Sequence, residues 1–88
     1  NRLVAFLELN PRVKIEISGH TDNTGNRDQK IQLSVNRATA VKEYLEQKGI
    51  PHYRMSVKGY GMYRPRATNN TEEGRRLNRR VEFTVTNM

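Results

Sequence analysis

The sequence predicts an α+β domain in which helices pack on one face of a small mixed sheet, and three observations carry that prediction. Val13 to Ser18 alternates apolar and polar residues strictly, as a strand with one buried face does. Ile31, Val35, Ala38, Val41 and Leu45 step by three and four, the stripe of a long amphipathic helix. Met55 to Gly59 and Val81 to Thr86 then return to alternation.

The first element is helical. Leu3, Phe6 and Leu7 share one face of a segment from Arg2 to Leu9, which Pro11 ends. In the strand that follows, Val13, Ile15 and Ile17 face inward. Gly19 to Asn26 is rich in Gly, Asn, Asp and Thr and reads as a loop. The long helix is closed by Gly49 as a left-handed cap, with Ile50 folding back on the last turn and Pro51 preventing continuation. A second strand, Met55 to Gly59, turns Met55 and Val57 inward. Strand, helix and strand of these lengths form a βαβ unit, so the two strands are expected to run parallel with a right-handed crossover. Gly59 to Asn70 is a long connection. Asn70 or Thr71 caps a short helix, Asn70 and Glu73 standing at capping-box spacing, and Gly74 keeps it brief. In the last strand Val81, Phe83 and Val85 alternate with Glu82, Thr84 and Thr86.

Eighty-eight residues make a single domain over 1–88 with a modest core. Apolar content of 34% and a mean hydropathy of −0.91 describe a thin interior under a polar surface. No run is long and apolar enough to span a bilayer, and the first residues do not read as a signal peptide. The chain starts abruptly in a helical pattern, as a piece cut from a longer protein would. Without Cys, disulfide frameworks and thiolate metal sites are excluded. His20 has no second ligand at a suitable spacing, so no metal is expected. Ser18, Ser34 and Ser56 lack an adjacent base, and Gly59-Tyr60-Gly61 is too short to cradle phosphate. Neither catalysis nor a cofactor is expected.

Charge is more informative. The net charge is +7, and eight bases lie between Arg54 and Arg80 against only Glu72 and Glu73. Such an excess is either a solvated surface or a face turned toward a polyanion. Tyr60 and Tyr63 in that segment would stack on nucleic-acid bases. The two glutamates interrupt it, however, and no nucleic-acid recognition motif is present, so nucleic acid is not the expected partner.

The remaining candidates are Asp22 and Arg37. Asp22 sits in the loop before the long helix, and Arg37 lies on the flank of that helix's buried stripe. An acid and a base so placed can face one pocket, suited to a small ligand carrying both an ammonium and a carboxylate. The plainer reading is an ion pair stitching loop to helix, worth about 0–1 kcal/mol at a surface.

Four motifs together bear on that choice: GHTD at Gly19–Asp22, LSVNRA at Leu33–Ala38, GYG at Gly59–Gly61 and NRRVEF at Asn78–Phe83. In this order and at these separations they resemble the OmpA-like C-terminal domain, a peptidoglycan-binding module. The resemblance implies non-covalent binding of the wall's peptide stem, chiefly its diaminopimelate, on the periplasmic face of the outer membrane. It implies that Asp22 takes the ligand's ammonium and Arg37 its carboxylate, with Thr24 and Arg79 lining the pocket. Membrane contact would come only through other parts of a larger protein, and dimerisation is compatible with it. On this reading Asp22→Ala and Arg37→Ala each remove binding with nearly unchanged stability.

Two departures from the family pattern stand out. Lys30 occupies a position where the family usually has Asn; a cation there either weakens ammonium binding or recruits a further acidic group. The family's domain also opens with a strand before the first helix. This chain opens at the helix, so its sheet is expected to have an open edge or to be completed by a partner chain, or else binding is expected to be impaired.

Overall fold

A computed structural model describes residues 2–87. The elements follow in the order α1 (Arg2–Leu9), β1 (Ile15–His20), α2 (Arg27–Gln47), a 3-10 turn (His52–Arg54), β2 (Met55–Gly61), α3 (Glu72–Asn78) and β3 (Arg80–Val85). The strands lie in the order β2-β1-β3, with β1 parallel to β2 and antiparallel to β3. The expected α+β architecture is thus observed, with a mixed sheet and α2 packed along β1 and β2.

Register explains which residues form the core. Ile15 and Ile17 stand opposite Met55 and Val57 on one side and Val85 and Phe83 on the other. Leu7, Ala38, Leu45 and Ile50 close over this face, flanked by Leu3, Val4, Val13, Val41, Val57 and Val81. The end of α2 is built as its sequence implies. Gly49 adopts φ +96°, and the Ile50 amide donates to the Leu45 carbonyl at 3.1 Å, burying Ile50 beneath the last turn.

The structure departs from the sequence reading in several places. Phe6 is 41% exposed, and it is Val4 that joins Leu3 and Leu7 against the core. β1 starts at Ile15 and continues through Gly19 and His20. The ladder extends through Gly19, where α2 lies close enough that a Cβ would overlap the Ser34 carbonyl. Gly74, expected merely to weaken α3, is buried where any side chain would overlap the Thr68 carbonyl, so it permits contact with the preceding connection. Thr71, not Asn70, is the cap: its hydroxyl accepts from the Gly74 amide at 3.0 Å.

Arg54 does not belong to any basic surface. It is buried, and its guanidinium donates to the carbonyls of Val13 (3.0 Å), Leu7 (2.9 Å) and Asn10 (2.7 Å). It thereby satisfies one carbonyl in the last turn of α1, which a helix C-terminus leaves without a partner, and two in the segment that follows.

β2 and β3 are the two outer strands of the sheet among the described residues. Among the described residues β3 has a neighbour on one side only. Phe83 and Val85 are 44% and 37% exposed there, although they share the apolar face of Ile17 and Ile15.

Candidate functional site

The loop carrying Asp22 is fixed from below. The Ser34 hydroxyl on α2 donates to the Ile31 carbonyl and accepts from the Gly61 amide at 3.0 Å. The Gly61 carbonyl in turn accepts from the Thr21 amide at 2.9 Å. Helix, second strand and loop are therefore tied in series. The loop ends at Asn26, whose side chain accepts from the amides of Asp28 and Gln29 and starts α2.

Asp22 is 3% exposed, and it has four donors. Its Oδ1 accepts from the Thr24 amide (3.1 Å), the Thr24 hydroxyl (2.6 Å) and the Lys30 ammonium (3.1 Å). Its Oδ2 accepts from Arg79 Nη1 at 2.7 Å. Burial by itself would raise the carboxyl's pKa. The Thr24 hydroxyl, Arg79, the Thr24 amide and Lys30 outweigh it and hold the group well below the usual carboxylate range. Asp22 is a fixed negative charge.

Arg79 extends the network. Its Nη2 donates to Glu72 Oε1 at 2.6 Å, so one guanidinium bridges two carboxylates. Glu72, then Asp22, hold the Arg79 pKa above its ordinary value.

Arg37 stands apart from Asp22. Its guanidinium is tied to no carboxylate among the described residues. It borders an open cavity of about 420 Å³ together with Ala40, Val41, Arg79, Arg80 and Val81. That space has an apolar floor and a cationic rim. Neither Asp22 nor Thr24 lines it. Arg79 is the link, since it borders the cavity and holds Asp22.

Of the four residues read from the sequence, Asp22, Thr24 and Arg79 therefore form one hydrogen-bonded cluster. Arg37 adjoins it across Arg79. Thr24 spends its hydroxyl on Asp22. Two participants escaped the sequence reading as partners of the cluster. Lys30 sits in the first turns of α2 and reaches back over the loop, and Glu72 was counted only as an interruption of the basic segment. A signal existed for Glu72: it precedes Arg79 by seven residues, two helical turns, which places the two on one side of α3. Among the described residues no group of three or more His, Asp or Glu is arranged to hold a metal.

Known proteins resemble this chain along most of its length. The OmpA family matches residues 1–79. Peptidoglycan-binding protein ArfA of Mycobacterium tuberculosis is 41% identical over 85 residues, which is 97% of this chain and 26% of that protein. Outer membrane porin F of Pseudomonas fluorescens is 42% identical over 83 residues, 94% of this chain and 26% of that protein. The crystal structure of the peptidoglycan-associated lipoprotein from Burkholderia pseudomallei superposes with a TM-score of 0.91 at 27% identity, covering 97% of this chain and 72% of that one. The chain thus spans 26% of the length of each of these two relatives known by sequence.

Proposed function

The chain belongs to the OmpA family, and from that premise we propose that it binds peptidoglycan non-covalently and tethers a larger envelope protein to the wall. The ligand is the diaminopimelate of the peptide stem, whose free end is a zwitterion. Arg37 takes the carboxylate by a two-pronged fork, and Asp22 takes the ammonium. Thr24 and Arg79 keep Asp22 ionised and aimed. The work is binding, not catalysis, and its setting is the periplasmic face of the outer membrane. Affinity at one site is modest; retention comes from many stems near many copies, whether monomeric or dimeric.

One observation supports this reading above others. Among the described residues Arg37 is paired with no carboxylate, and it opens onto a cavity that it shares with Arg79, the residue that holds the buried anion Asp22. A guanidinium without an internal counter-charge at such a place is ready for a ligand's carboxylate.

The test is co-sedimentation with purified diaminopimelate-type sacculi. Arg37→Ala is expected to weaken binding about tenfold to hundredfold, the worth of one or two charged hydrogen bonds. Its thermal midpoint should match wild type, because no internal partner is lost. Asp22→Ala should also lose binding, but the burial of Asp22 changes the expectation for stability. Removing it strands Lys30 and one arm of Arg79, at a cost of about 1–3 kcal/mol. Arg37→Ala is therefore the cleaner probe, and wild-type sedimentation by that variant would sink the proposal. A second reading treats the cluster as a structural stitch within an interaction domain. The four donors already on Asp22 favour it, and it predicts no sedimentation with sacculi by wild type or variants.

A further inference from the structure

The state of Asp22 constrains how any ammonium can reach it. A carboxylate offers roughly two acceptor positions on each oxygen, and Oδ1 of Asp22 already has three donors while Oδ2 has one. With Oδ1 crowded and the residue only 3% exposed, a ligand's ammonium reaches Asp22 by taking the place of a side chain that covers it. The two Thr24 donors belong to the loop two residues away and are held by its turn. Arg79 is clamped from its other side by Glu72 at 2.6 Å. Lys30 differs from both. Its ammonium rests on Asp22 at 3.1 Å with no second carboxylate among the described residues, and its stem passes over the loop close to Gly25. The side chain retains 18% exposure, so it has a path to solvent.

Resting on the function proposed above, we infer that Lys30 is an internal stand-in for the ligand's ammonium and sets the affinity and selectivity of the site. Binding is then an exchange of one ammonium for another. The site is competent only for the fraction of time that Lys30 is away from Asp22, and the apparent affinity is lowered by that fraction. A ligand without an ammonium has no claim on Asp22 and gains nothing from the departure of Lys30. The residue thus filters for ligands whose cation, with the help of the carboxylate on Arg37, outcompetes a tethered lysine.

Isothermal calorimetry on the 88-residue chain tests this, using a soluble stem tripeptide ending in meso-diaminopimelate and the same peptide with its side-chain amine acetylated. Lys30→Gln should bind the free-amine peptide about tenfold more tightly than wild type, as expected if Lys30 occupies Asp22 for about nine-tenths of the time. It should bind the acetylated peptide no better than wild type does. Lys30→Met, which keeps the stem and removes the charge, should behave like Lys30→Gln, so that one poorly folded variant does not decide the matter. Unchanged or weaker binding by both variants, with wild type binding and Arg37→Ala failing to bind, overturns the role of Lys30 and leaves the proposed function standing. Equal tightening toward both peptides also overturns it, since the effect would then not concern the ammonium. Failure of wild type and every variant to bind the free-amine peptide overturns the function itself, and this inference with it.

Discussion

His20 and Asp22, two residues apart, are both almost fully buried, and their surroundings treat charge in opposite ways. Asp22 is surrounded by donors and stays ionised. His20 stacks on Tyr60 with ring centroids 5.4 Å apart and meets Ser18 Oγ through Nε2 at 3.1 Å. Its pKa is lowered from the ordinary 6.5, first by burial and then by Arg80 and Arg64, with Glu82 opposing. The sign follows from linkage. The unfolded chain binds the proton more tightly than the folded one, so stability is full above about pH 6.5 and is lost as pH falls through the lowered folded-state value. Thermal melts of wild type at pH 7.5 and 5 should show this loss, and His20→Gln should show a smaller one. At this scale the sequence disclosed which groups carry charge, but not how they pair. Asp22 and Arg37 were legible because an acid in a polar loop and a base flanking an apolar stripe have few structural reasons to be there. That Lys30 would bend back onto Asp22, and that Arg79 would stand between Asp22 and Arg37, depends on helix azimuths that periodicity leaves a few tens of degrees uncertain.

Among the elements, the legible ones were those set by local rules. The alternation at Ile15 to Ile17 and the Gly49-Ile50-Pro51 stop act within a few residues, and the structure reproduces them. The connection between β2 and α3 was not legible, because one distant side chain organises it. Asn78 is fully buried. Its Oδ1 accepts from the amides of Arg66 (2.7 Å) and Ala67 (2.9 Å), and its Nδ2 donates to the Ala67 carbonyl (3.0 Å) and Asn69 Oδ1 (2.9 Å). In the sequence Asn78 is only the first residue of the NRRVEF motif, and nothing in its neighbours announces a side chain with every valence used. Asn78→Ala would leave buried amides without acceptors. It should cost about 2–4 kcal/mol from several bonds of about 0.5–1.5 kcal/mol each, plus desolvation. Urea titration checks the magnitude, and faster proteolysis between residues 62 and 70 would locate it.

At the scale of the whole molecule the outer side of β3 is one of the sheet's two edges, and it carries the half-exposed Phe83 and Val85. The Thr86 amide donates to the Lys14 carbonyl at 2.9 Å, and that sets the phase of the antiparallel ladder. Thr84, Glu82 and Arg80 then turn their backbone groups toward β1, and those of Val81, Phe83 and Val85 turn outward. An edge with apolar side chains and free backbone groups favours self-association. Phe83→Lys should reduce concentration-dependent association in sedimentation velocity. Since about half of the ring is covered, it should lower stability by about 1–2 kcal/mol. The same ladder also has a mechanical meaning. Ile15, the first residue of β1, lies opposite Val85, the last of β3, and His20 at the far end leads directly into the Asp22 loop. Force applied between Ile15 and Val85 would part the rungs one after another, like a zip. Force entering at Val85 and leaving through Asp22 would pull the two strands in opposite directions along their length and load every rung at once. A domain gripped at Asp22 and pulled from Val85 would therefore meet tension along its stiffer axis.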